Sequence, residues 1–165
     1  MGNPGRKPLT GECDVQNTEH QPAYGTCFAP YITLGVTPMN EAERAAGLPA
    51  TAQYQYAERV GNQLFVAGQV PHDSQGRVVG LDDPHAQALQ CLSNLNALLA
   101  VHGFSTSDVR QLVVYVVGGQ ANLSAAWKTV ADSFGGQVPP ATLLGVAGLG
   151  YAGQLVEVHA TVLKA

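Results

Sequence analysis

The sequence predicts an α+β domain in which two helices stack on one face of a mixed β-sheet, with elements in the order β-β-α-β-α-β-β. Three observations lead there. Two segments repeat apolar residues at helical spacing, five shorter ones read as apolar or alternating strands, and Gly, Pro, Asn or Asp marks the junctions. A chain of 165 residues suits one such domain with a real core and is short for two.

Residues 1–50 stand apart. They are rich in Pro, Gly, Asn and Thr without a sustained period, and are expected to form an extended arm that is partly flexible at its start. Within it, APYITLGV (Ala29–Val36) suits a short strand, and NEAERAAGLP reads as a helical turn capped by Asn40 and ended by Gly47 and Pro49. Residues 51–165 then form the domain. QYQYAERV and QLFVAGQV flank Gly61-Asn62, a two-residue hairpin signal. PHDSQGRVVGLDD is a loop. DPHAQALQCLSNLNALLAVHG is a helix with Asp83 as N-cap, Pro84 at the first helical position and Gly103 just past the end. Its apolar stripe runs Ala88, Cys91, Leu92, Leu95, Leu98 and Leu99. RQLVVYVVG is a mostly apolar strand, expected to be buried on both faces. A second helix spans Asn122 to Phe134, burying Leu123, Ala126, Trp127, Val130 and Phe134 and ending at Gly135. ATLLGV is the next strand, GLGYAG lies in the loop after it, and QLVEVHATVL (Gln154–Leu163) closes the sheet.

That closing strand raises the functional question. Strand side chains alternate faces, so Val156, Val158, Ala160 and Val162 share one face and Leu155, Glu157, His159, Thr161 and Leu163 the other. Glu157 and His159 then sit about 7 Å apart on one face. Either this face meets water, or it lines a pocket in which a carboxylate and an imidazole do chemistry.

Composition narrows the choices. The net charge is −4 and the eight Lys and Arg residues are scattered, so the basic cluster that a phosphate backbone demands is missing and nucleic acid is not an expected partner. No segment reaches the ~18 apolar residues of a membrane span. The opening MGNPGRKPLTGECD lacks a signal peptide's apolar run, so a cytoplasmic location is expected. Three cysteines without a CxxC argue against a disulfide framework, and Cys91 reads as a small core residue.

The five histidines show no HxxxH or HExxH spacing, so neither a metal nor a cofactor is expected. His85 and His102 lie near helix ends, where capping or solvent contact accounts for them, and His72-Asp73 lies in a turn. GLGYAG precedes a strand, lacks the helix N-terminus of a phosphate loop and reads as a hairpin connection. No GxSxG nucleophile elbow occurs.

Several segments together resemble one family. YQYAERVGNQLFVAGQVP resembles the first hairpin of the Rid (YjgF-like) imine and enamine deaminases, with a Tyr, a Gly-Asn or Gly-Asp turn and an SGQ-hydrophobic-Pro pattern. AQALQCLSNLNALLAVHG resembles that family's first helix, LVVYVVG its third strand, WKTVADSFGG its second helix and LVEVHATV its closing strand. The resemblance implies a homotrimer of chorismate-mutase-like subunits, with sheets forming a central barrel, helices outside and clefts between neighbours. It also implies that Glu157 positions or activates water and that Tyr54 helps line the pocket. His159 stands where a second acidic residue is common.

One departure bears on substrate. The family's P-A-R-S segment carries an Arg that clamps a substrate carboxylate, whereas PPATLLGVAGLG here has Ala141 at the Arg position and Thr142 at the Ser position. Gly148 stands where another Arg is often found. A carboxylate drawn out of bulk water relies on a bidentate Arg, and Ala141 offers neither charge nor donor. Arg59 on the hairpin is the basic residue placed to approach the pocket.

Two function classes follow. The first is a Rid-like enzyme for a small imine, enamine or related unsaturated metabolite without a required α-carboxylate. Glu157 would be the general base, Tyr54 would donate a hydrogen bond or stack, Thr142 would hold a neutral polar atom and Tyr151 would reach in from the Gly-rich loop. The second is a non-catalytic trimer that binds a small metabolite or partners a biosynthetic enzyme through the arm. A ribonuclease role, attached to some relatives, fits the acidic balance and scattered basic residues worst.

Overall fold

The closing strand lies in the middle of the sheet. The computed structural model describes residues 40–51 and 54–165. In it, α1 (Glu41–Ala45), β1 (Ala57–Val60), β2 (Gln63–Val66), α2 (Pro84–Val101), β3 (Val109–Val117), α3 (Gln120–Ser133), β4 (Ala141–Val146) and β5 (Val156–Leu163) follow in sequence. The five strands form one sheet in the order β1-β2-β5-β3-β4, with β3 and β4 parallel and the other neighbours antiparallel. This is the α+β architecture that the residue pattern implies. The arm's residues 1–39, including the strand expected at Ala29–Val36, lie outside the described residues.

Among the described residues, the helices cover one face of the sheet only. Along β5, Val156, Val158, Ala160 and Val162 are buried, while Glu157, His159 and Thr161 between them are half-buried. The whole expected stripe of α2, from Ala88 to Leu99, is buried against that face. Cys91 is in it, as a core residue. On β3, Leu112, Val114 and Val116 are buried, but Val113, Tyr115 and Val117 are only half-buried. The expected burial of this strand on both faces is therefore not met within the chain, because no helix among the described residues lies over its second face.

Capping explains the helix ends. Asp83 accepts from the backbone N–H groups of His85 and Ala86, Pro84 opens α2, and Gly103 takes the left-handed conformation (φ +73°) just beyond it. α3 starts at Gln120, two residues before the expected Asn122, because Asn122 turns its amide to the Val117 carbonyl at the end of β3 (2.9 Å). α1 has a reciprocal cap: the Asn40 side chain accepts from the Glu43 N–H, and the Glu43 carboxylate accepts from the Asn40 N–H. Glu43 is buried, and its carboxylate meets His102 Nε2 at 2.9 Å. His102 is the C-cap residue of α2, as its place near the helix end suggests, and its ring also ties α1 to α2. His85 likewise bonds across helices, its Nδ1 lying 2.6 Å from the Thr129 hydroxyl.

Two connections differ from expectation. β1 begins only at Ala57, although the Ala67 N–H still reaches the Tyr56 carbonyl (2.8 Å). The GLGYAG segment is not a hairpin connection, since β3 lies between β4 and β5. A buried amide fastens it instead. Gln87 Nε2 donates to the carbonyls of Gly80 and Gly153, and its Oε1 accepts from the N–H groups of Leu155 and Val156. Each buried group left unpaired costs about 1–3 kcal/mol. Gln87→Ala is therefore expected to lower the unfolding free energy by at least about 2 kcal/mol, read from the urea midpoint at unchanged slope.

Candidate functional site

Cross-strand rows set the layout of the uncovered face. Glu157 is paired with Tyr115, which is paired with Leu144; His159 is paired with Val113, which is paired with Thr142. Paired residues share a face, so all six lie on the side away from the helices. His159 and Thr142 stand two strands apart, about 10 Å. Ala141 is paired with the fully buried Leu112 and so lies on the helix side, away from Glu157.

The Glu157 carboxylate rests on Gly68. Any side chain at 68 would collide with it, so the glycine is what allows the approach. Gly68 reaches that place because its neighbour Gln69 continues the ladder beyond β2, exchanging backbone hydrogen bonds with Val158 (2.8 and 3.0 Å). Gln154, itself buried, donates from Nε2 to Glu157 (3.2 Å), while its Oε1 accepts from the Tyr151 N–H (3.2 Å). One neutral amide thereby links the carboxylate to the loop carrying Tyr151.

Aromatic rings close the group. Tyr54 stands edge-on to Tyr56 with centroids 6.4 Å apart, and Tyr151 stands edge-on to His72 at 4.4 Å. Burial pushes the Tyr54 phenol above its ordinary range, and the Tyr151 hydroxyl, Tyr56 and the Glu157 charge push it further. Tyr56 is pushed up to about 12, first by burial and then by Tyr151 and Glu43, and its hydroxyl donates to the Pro49 carbonyl (2.9 Å). Both phenols stay protonated at neutral pH. Burial lowers the His72 pKa, against the pull of Asp73, so its imidazole is neutral there; its Nε2 is buried without a partner.

Of the residues singled out by sequence, the fold gathers Glu157, Tyr54 and Tyr151. His159 and Thr142 share the open face in the adjoining row, and Ala141 points elsewhere. Arg59 does not approach: it donates to the carbonyls of Gly61 and His102 and lies over the Phe104 ring at 5.3 Å. Gly68, Gln154 and His72 were not singled out. A glycine within a strand-like run is a sign of close approach, and would have flagged Gly68; Gln154 and His72 carry no such sign. Among the described residues, no group of three or more His, Cys, Asp or Glu side chains is placed to hold a metal. No helix among them is long and apolar enough to cross a membrane.

The raised phenol pKa values carry a stability consequence. A group protonated more tightly in the folded state than in the unfolded one contributes fully below its unfolded pKa, here 10.0, and loses that contribution as pH rises through the folded value. Unfolding free energy is expected to fall progressively as pH rises above about 10. In Tyr54→Phe the decline should be shallower, as checked by denaturant titrations across that range.

Comparison with known proteins agrees with the geometry. The endoribonuclease L-PSP family profile matches residues 45–164. A RutC family protein of Pyrococcus horikoshii is 38% identical over 63 residues, covering 38% of this chain and 50% of that protein; the chain thus spans about half the length of this curated relative. The crystal structure of a proposed endoribonuclease from Thermotoga maritima superposes with a TM-score of 0.63 at 29% identity, over 71% of this chain and 91% of that one. RidA of a Psychrobacter species gives 0.62 at 24% identity, over 72% and 95%, and supports the fold alone. With its sheet, its order of elements and its family profile in agreement, the chain belongs to the endoribonuclease L-PSP family, the YjgF-like Rid family that its motifs resemble.

Proposed function

We propose that the protein hydrolyses a small imine or enamine lacking a required α-carboxylate, in a cleft completed by a neighbouring subunit of a homotrimer. The observation that carries this reading is the Glu157 carboxylate, seated on Gly68 beside Tyr54 and Tyr151 and hydrogen-bonded by the neutral Gln154. Glu157 takes a proton from water as the water oxygen adds to the C=N carbon. The carbinolamine then collapses and expels ammonia, so that one iminium ion and one water become one carbonyl compound and one ammonium ion. An enamine enters the same route once its carbon is protonated. Tyr54 and Tyr151 donate to the developing oxygen or nitrogen. Thr142 and His159 belong to the wall of the cleft, and Ala141 leaves the family's carboxylate clamp without a charge.

The uncovered face supports association. Val60 and Phe65 are 57% and 52% exposed there, with Leu163 exposed beside them and Leu144 exposed on the opposite edge strand. Large apolar side chains left exposed on one face fit an interaction surface. The family description names a ribonuclease, a role that the net charge of −4 does not favour. The absent clamp at Ala141 favours one second reading: a small-metabolite binder or pathway partner without catalysis.

Stopped-flow decay of imines generated in situ from simple amines separates the readings. The wild type is expected to accelerate decay, and Glu157→Gln to lose about 100-fold or more of that rate. Gly68→Ala should lose a comparable factor with little change in melting temperature, because its methyl group displaces the carboxylate. If the wild type accelerates no carboxylate-free imine, the enzyme reading fails and the binder stands. Phe65→Asp is expected to convert the assembly to monomers in light scattering; an unchanged mass would refute the role of the open face.

A further inference from the structure

We infer that the site selects a cationic ligand, an iminium or ammonium group held between the Glu157 carboxylate and the rings of Tyr54 and Tyr151. This rests on the functional reading above for where the ligand binds, and adds the charge it carries.

The argument begins with what surrounds Glu157. Its hydrogen-bonding side chain is Gln154, which is neutral, and its aromatic neighbours are protonated phenols. His72 behind Tyr151 is a neutral imidazole and repels no cation. The basic side chains lie elsewhere. Arg59 is fixed over Phe104, with Lys164 at 5.1 Å from the same ring. Arg77 pairs with Asp73, Arg110 donates to the Leu163 carbonyl, and Lys128 pairs with Asp132. Arg44 stands exposed in the last turn of α1. Among the described residues, no Lys or Arg side chain therefore joins the group around Glu157, and His159 stands in the adjoining row, about 7 Å along the strand.

Charge decides which ligand gains from this arrangement. An anionic ligand would meet the carboxylate with no counter-ion to offset the repulsion. A neutral donor gains a hydrogen bond to it but no charge–charge attraction. A cation gains twice, from the carboxylate and from the electron-rich ring faces, and both attractions strengthen as water is excluded. The rings are open to a ligand, since Tyr54 and Tyr151 are each 39% exposed. The same pairing suits the chemistry, because it favours the protonated imine, whose carbon is the more electrophilic.

Calorimetric titration of the full chain with benzylammonium, benzyl alcohol and benzoate tests the inference with one ring and three charges. Benzylammonium should bind about tenfold or more tightly than benzyl alcohol, and benzoate most weakly. Glu157→Gln, nearly isosteric, should erase that preference. Tyr151→Leu should weaken benzylammonium about threefold or more, while Tyr151→Phe, which keeps the ring, retains it. The inference is overturned if benzylammonium shows no binding at millimolar concentration, if benzoate or benzyl alcohol binds as tightly, or if the preference survives in a folded Glu157→Gln. Imine decay recorded on the same samples keeps the two readings apart. Charge-selective binding without turnover upholds the cation site and sinks the hydrolase, whereas turnover with no charge preference does the reverse.

Discussion

The placement of the candidate site depends on the one-sided burial of β5. Fully burying a Val or Leu side chain is worth about 1.5–3 kcal/mol, and β5 contributes Val156, Val158 and Val162 to the layer beneath α2. A slip of one residue would expose these valines and drive Glu157 and His159 into the core. An unpaired buried carboxylate alone costs several kcal/mol. The register is therefore fixed by the apolar face, and the polar face inherits its position. Glu157 sits where it does because its neighbours are hydrophobic, not because its own contacts pull it there.

Its orientation, by contrast, comes from two neutral devices. Gly68 removes the side chain that would fill the space over β5, and Gln154 supplies a donor without adding charge. A guanidinium in the same place would hold the carboxylate more firmly but would neutralise it. The arrangement here keeps the carboxylate positioned and its charge available. The buried Gln87 does comparable work one layer down, satisfying two carbonyls and two N–H groups of the loops that carry the site.

Legibility in the sequence followed locality. The α2 stripe, its Asp83 cap, the α1 cap at Asn40 and the alternation of β5 are all written within a few residues, and the fold class follows from them. Glu157 could be singled out because alternation places it with His159 on the polar face, and Tyr54 because of the hairpin motif. What could not be read depends on pairing between distant segments. Gly68 meets Glu157 only because Gln69 bridges to Val158, and the facing of Ala141 is set by its register against Leu112. The uncovered second face of β3 was missed because an apolar strand reads the same whether a helix or another subunit covers it. Arg59 was misplaced because the carbonyls of Gly61 and His102 and the Phe104 ring, which hold it, come together only in the folded chain.

The segment before β1 also belongs to the site's support, although the family profile begins only at residue 45. Glu43 and His102 anchor α1 at the end of α2, and Leu48 fills a core position at 2% exposure. One residue on, the Pro49 carbonyl receives the Tyr56 hydroxyl, and Thr51 donates to the Tyr54 carbonyl. Tyr54 is thus held from both sides: upstream by a segment docked on the helices, downstream by the strand that begins at Ala57. A phenol carried on a free arm would lose its rotamer and backbone entropy each time it met a ligand. By docking the segment during folding, the chain meets that cost before any ligand arrives, so the role proposed for Tyr54 beside Glu157 falls to a tyrosine that is already held in place.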